Sequence, residues 1–204
     1  MLTLFLAVLL AGGVEVERVL ALVGGTPILT SDTELADAAQ LVPRAAGEDD
    51  AAHRSAVLDA LVALELRWQD LETAAMASRT QVDLDAAWAS TVKRAGGEDV
   101  LRDRLAAIGL PEAALRELVR RAAIVQAYVG VRFAPFVRPS AEEVEAIYRD
   151  ELAPALRSAG QPVPELAAVR AEVEALVRER KLTAEVERWT SDLARRTEVV
   201  RYVR

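Results

Sequence analysis

The sequence contains no cysteine, a single histidine, two methionines, and only three each of Trp, Tyr and Phe among 204 residues. Without cysteine the chain forms no disulfide, holds no metal through thiolates, performs no thiol chemistry and cannot be tethered through a lipidated N-terminal cysteine. Its core alone must stabilise it. Two methionines are too few for a Met-rich, adaptable binding surface. Positive charge is in deficit, with 25 Lys and Arg against 32 Asp and Glu and a formal net charge of −7, which argues against a nucleic-acid-binding face. No G-x-S-x-G elbow, phosphate-binding glycine loop, H-E-x-x-H pair or EF-hand ligand series occurs. The one histidine, His53, stands where a helix is expected to start and is read as a solvated helix-entry residue.

The longest uncharged apolar run, Leu2 to Leu10, falls short of the roughly 20 residues of a spanning helix, so no stable membrane insertion is expected. Followed by the small residues Ala11, Gly12 and Gly13, it has the form of a signal peptide over residues 1–13, although its n-region carries no Lys or Arg. The mature chain, 14–204, is then expected outside the cytoplasm.

What is abundant is Ala and Leu, with Gly and Pro gathered at a few breaks, and a mainly α protein (α+β) follows. Residues 17–32 read ERVLALVGGTPILTSD. The apolar run Val19 to Val23, the Gly24-Gly25 pair and the resumption at Ile28 and Leu29 predict a β-hairpin with a two-residue turn. Pro27 has no N–H to donate, so the return strand should be short or at an edge. Ser31 with Glu34 has capping-box spacing and places the start of the first helix near Asp32, ending near Leu41.

Val57, Leu61, Leu64, Trp68 and Leu71 form one face of a long helix over 51–75. A third helix is expected from the Asp83 cap to Gly96-Gly97, a fourth over 98–108 closed by Gly109, and a long fifth after Pro111, interrupted near Pro135. Ser140 and Glu143 form a second capping box, and Pro154 should kink or end the helix that follows. Residues 158–164, SAGQPVP, read as a linker. A long final helix precedes a strand over 198–203. A lone terminal strand needs a partner, and the hairpin is the only one available; the two chain ends should close into one small antiparallel sheet. The expected organisation is a single domain over 14–204, with an N-terminal part at 14–157, the linker, and a C-terminal helix and strand at 165–204.

The segments LALVGGTPILTSD, AVLDALVALELRWQDLE, GLPEAALRELVRRAAIVQAYV and SAEEVEAIYRDE, with the tail from Pro164 to Val203, occur in an order that resembles the SurA family of periplasmic chaperones. Each is a pattern of apolar residues, and only their order is specific. The resemblance implies a multi-helix SurA amino-terminal-like domain completed by the family's carboxy-terminal segment, a periplasmic location, and unfolded or nascent outer-membrane polypeptides as partners. Many members of that family carry parvulin-type prolyl isomerase domains between the two parts. Here only residues 152–164 separate them, too few for a domain of even ~50 residues, and the histidine cluster of such a site has no counterpart. The expected activity is therefore chaperone-like polypeptide binding without prolyl isomerase catalysis.

No catalytic, cofactor-binding or metal-binding residue is assigned and no cofactor is expected. Groove and core residues share one apolar pattern, so the peptide-binding residues cannot be named from sequence, and Trp68, Trp88 and Trp189 are assigned to core packing. The acidic pairs Asp49-Asp50 and Glu142-Glu143 are read as solvated or capping, and the basic run Arg178, Arg180, Lys181 as a helix face paired with Glu185 and Glu187. The alternatives are a non-catalytic structural or assembly subunit of a cell-envelope complex and an inactive isomerase paralogue.

Overall fold

The computed structural model describes residues 17–202, so the leader at 1–13 and Val203, the last residue of the expected C-terminal strand, lie outside it. The described chain is mainly helical with one small antiparallel sheet. Strand β1 (Val19–Val23) turns through Gly24 and Gly25 into β2 (Thr26–Leu29). Both glycines have positive φ, +54° and +86°, the conformation demanded by a tight turn that follows strand twist. The C-terminal strand β3 (Val199–Arg201) pairs with the other edge of β1, giving the order β2-β1-β3. The chain ends therefore close as expected, and Pro27 sits on an edge strand.

Helix α1 (Thr30–Ala38) starts earlier than expected and is capped differently. Leu29 is the N-cap residue and donates its backbone N–H to the Asp32 carboxylate at 2.8 Å. Ser31 lies inside the helix with its N–H given to Glu17 Oε1 at 3.0 Å, so the Ser31–Glu34 box does not form. A carboxylate on the helix axis satisfies the orphan donors better than a hydroxyl one turn late. The other caps agree with the sequence. Asp49 and Asp83 accept from the N–H groups of Ala52 and Ala86, and Ser140 and Glu143 exchange two bonds.

Helix α2 (Asp50–Thr73) is the hub. It packs against α1, β1, α5 (Glu112–Arg132) and α8 (Leu166–Arg196), which is why it buries Leu58, Val62 and Leu66 as well as Val57, Leu61, Trp68 and Leu71 of the expected stripe, whose fifth member Leu64 is half-buried. Helices α3 (Leu84–Ala95) and α4 (Glu98–Ile108) lie against α5 and α1. The core under the sheet joins Ala21, Val23 and Ile28 to Val57, Leu61 and Leu193. Gln69 on α2 donates to Val23 O at 2.8 Å, and Arg201 on β3 pairs with Asp59 on α2.

Pro154 does not stop its helix. Helix α6 (Ala141–Ile147) widens into a π-turn at Tyr148–Leu152 and continues as α7 (Ala153–Ser158). The wider turn accommodates the ring and the missing N–H of proline. The segment after Ser158 returns the chain so that α8 packs on α6 through Val144, Val173 and Val177, tied by the Tyr148 hydroxyl donating to Pro164 O at 2.6 Å. Of the basic run Arg178, Arg180, Lys181, the last two are paired across this hairpin, Arg180 with Glu151 and Lys181 with Glu143, while Arg178 is exposed. Pairing along the helix to Glu185 and Glu187, expected from the sequence, is replaced because α6 brings carboxylates to the same face.

Deletion of residues 198–204 removes the strand that fills the second edge of β1. The expected result is a thermal midpoint lower by roughly 5 °C, from a loss of about 1–3 kcal/mol in cross-strand pairs and half-buried valines; calorimetry of the shortened chain tests it, and an unchanged midpoint would contradict the closure.

Candidate functional site

Three cavities adjoin along one side of the molecule. The first, about 740 Å³, lies between α1, the following loop and α4, and includes Val42, Pro43, Arg44, His53, Arg94 and Arg104. The second, about 460 Å³, opens where α2, α3 and α5 face one another, with Val57, Leu61, Ala87, Val119 and Ala122 among its walls. The third, about 650 Å³, runs between α2, α5 and α8 past Ala63, Val129, Leu182 and Val186. The first and second share Val42 and Arg94, and the second and third share Arg67 and Gln126. Together they make one open trough whose middle is predominantly apolar.

Small residues create this middle cleft. Ala60, Ala87, Ala122 and Ala123 stand where larger side chains would fill the space between helices. The stripe of α5 thereby serves two purposes: Leu115, Val119 and Val125 are buried, while Ala122 leaves room beside them. Ser90 and Gln126 bring exposed hydrogen-bonding side chains to the edge.

The loop that walls the first cavity is held by His53. Contrary to the expectation of a solvated position, His53 is only 4% exposed. Its Nε2 is 2.9 Å from Asp37 Oδ1 on α1, and its Nδ1 is 3.2 Å from Glu48 Oε2 in the loop. Each ring nitrogen thus faces a carboxylate oxygen, one from the helix before the loop and one from the loop itself. Glu48 also accepts from the Ala45 N–H at 3.0 Å. The loop folds back over the first turn of α2, and that fold, invisible in helical spacing, is what buries the ring.

Electrostatics separates the trough from the rest of the surface. Where α5 meets α2 over Trp68, Arg120 and Arg121 share Glu117, and the Arg120 hydrogen bond leads in holding that carboxyl down to about 2. Within the trough, Arg67 donates Nε to its own helix at Ala63 O, 2.7 Å away, and burial lowers its pKa from the ordinary arginine value. Arg94 donates to Thr91 Oγ1 at 3.2 Å and Arg104 to Ala38 O at 3.1 Å. Among the described residues none of these three is in an ion pair.

The acidic pairs singled out in the sequence lie outside the cleft: Asp49 caps α2, Asp50 pairs with Arg44, Glu143 caps α6 while pairing with Lys181, and Glu142 is exposed. Trp68 is buried in the core. Trp88 is half-buried under the Arg116 guanidinium, 4.0 Å from its ring centroid. Trp189 is half-buried against Tyr128 and Phe133 and donates to Asp70. Sequence reading missed Arg67 and Arg94, because an isolated arginine on a helix carries no pattern; only the packing of three helices gives each its setting.

Among the described residues no cluster of three or more potential ligands suited to a metal occurs, and no helix is long and apolar enough to cross a membrane. No family model matches the chain, and no curated protein matches it by sequence.

Replacing His53 with Ala is expected to destabilise the chain by about 1–3 kcal/mol, because two carboxylates lose their buried partner. Urea denaturation measures it; a change below ~0.5 kcal/mol would be the behaviour of a solvated surface position.

Proposed function

We propose that the chain is a holding chaperone for unfolded polypeptide, working in the periplasm without prolyl isomerase chemistry. The observation that carries this reading is the row of three open cavities with shared walls, the middle one lined mainly by apolar residues. An extended segment needs a surface for its apolar side chains, hydrogen-bonding groups for its backbone and open ends for the rest of the chain. The alanine-walled cleft supplies the first, Ser90 and Gln126 the second, and the flanking cavities the third.

The resemblance of the ordered segments to the SurA family supports unfolded outer-membrane polypeptides as clients, and the leader-like residues 1–13 support export. The open, alanine-walled cleft suits a binder that discriminates little among apolar sequences.

Light scattering of an unfolded β-barrel client tests the proposal. The chain at equimolar ratio should suppress aggregation, and Ala122→Trp or the exposed Ser90→Trp, which fill the cleft, should lose at least half of that effect with thermal midpoints within about 3 °C of the parent. Failure of the parent to suppress aggregation, or full activity in both Trp variants, would reject it. Capture of one stoichiometric envelope partner in place of many weakly held clients would favour an assembly subunit.

A further inference from the structure

Among the described residues, the charged side chains lining the middle cleft are two arginines, Arg67 and Arg94, and no carboxylate lines it. That is notable in a chain of net charge −7. Both guanidiniums are bonded to neutral oxygens, Ala63 O and Thr91 Oγ1, at 2.7 and 3.2 Å, and neither is ion-paired with a described residue. Many arginines elsewhere on the surface do have carboxylate partners, including Arg44, Arg116, Arg120, Arg180 and Arg201. The two cleft arginines stand at its seams: Arg94 also lines the first cavity and Arg67 the third. An arginine thus stands at each seam of an apolar centre, and carboxylates enter only beyond it, Glu34 and Asp37 in the first cavity and Glu179 and Glu187 in the third.

We propose that the middle cleft selects polypeptide segments in which apolar residues are flanked by internal Asp or Glu, with Arg94 and Arg67 receiving the two carboxylates. This rests on the polypeptide-holding reading above and names its preferred client sequence. A guanidinium offers a planar fork that meets a carboxylate through two parallel hydrogen bonds. Arg67 is partly withdrawn from water, where such a bond is stronger than on an open surface. The commitment to internal acids follows from the shape of the trough. It continues beyond each arginine into a further cavity of about 740 or 650 Å³, so a bound chain passes both charges; a chain terminus would leave one arm unoccupied.

Net charge makes the prediction distinctive, because general repulsion from an acidic protein acts against acidic peptides. The probes are short fluorescein-labelled peptides with one Val- and Ala-rich centre. Three carry Glu, Gln or Lys on both flanks and a C-terminal amide, and a fourth carries Gln flanks with a free C-terminal carboxylate. Fluorescence anisotropy with the full chain should show the Glu-flanked peptide binding roughly tenfold more tightly than the Gln-flanked one, and the Lys-flanked peptide more weakly than either.

In the Arg67→Met, Arg94→Met double variant the ratio of Glu-flanked to Gln-flanked affinity should fall to about one. Arg94→Met alone, at an exposed position that does not endanger folding, should reduce the ratio at least twofold, and Arg67→Lys should keep more of it than Arg67→Met. A wild-type ratio near one, or a ratio unchanged in the double variant, overturns the proposal while binding of the Gln-flanked peptide leaves the holding function standing. Tighter binding of the free-terminus peptide than of the Glu-flanked one overturns the choice of internal acids. No binding of any probe rejects both readings.

Discussion

Strand β1 has two edges of backbone donors and acceptors, and the hairpin can fill only one. The second is filled by residues near the opposite end of the chain: Val199 and Val200 face Val23 and Leu22, with Gly24 N–H bonded to Glu198 O and Tyr202 N–H to Leu20 O. Unpaired backbone groups at a sheet edge invite association with other chains. This pairing satisfies β1 on both sides, leaving only the short strands β2 and β3 as edges, and brings the end of α8 against α2. Leu193, one turn before β3, is buried in the same cluster as Val23 and Leu61. The sheet is small, yet it decides where the longest helix lies.

That placement creates the trough. With α8 held on α2 at its C-terminal end and on α6 at its N-terminal half, its middle passes beside α5 and forms one wall of the third cavity. The hub helix α2 contributes to the first cavity through His53 and to the other two through residues from Val57 to Arg67. A helix buried on most of its circumference is a rigid floor, since each large side chain removed from such a core costs about 2–5 kcal/mol. The open cleft above it is maintained by alanines. Larger side chains there would gain contacts and close the space, so the cleft forgoes packing that the surrounding core exploits.

Much of the architecture was legible because it rests on local or strongly periodic signals. Gly24-Gly25 and Pro27 encode a hairpin with an outer edge strand, Asp83 and Ser140-Glu143 encode helix starts, and the terminal alternation has one possible partner. The start of α1 was misplaced because two residues compete to cap it, and the choice is settled by Glu17 taking the Ser31 N–H from across the hairpin. His53 was misread for a related reason: its carboxylate partners come from α1 and a loop, at separations of 16 and 5 residues that no helical period links. The cleft itself was illegible. Ala87 and Ala122 look like ordinary helix formers, and a half-buried arginine differs from a solvated one only through what packs around it.

Among the described residues, the most exposed large apolar side chains are Val131 and Phe136, each 77% accessible, on the far end of α5 and the turn after it. They define the competing location for any apolar client. Site-specific photocrosslinking with benzoylphenylalanine at Ser90, Gln126 or Val131, in the presence of an unfolded β-barrel polypeptide, distinguishes the two. The account predicts abundant adducts from Ser90 and Gln126 at the trough and few from Val131; adducts chiefly from Val131 would contradict it.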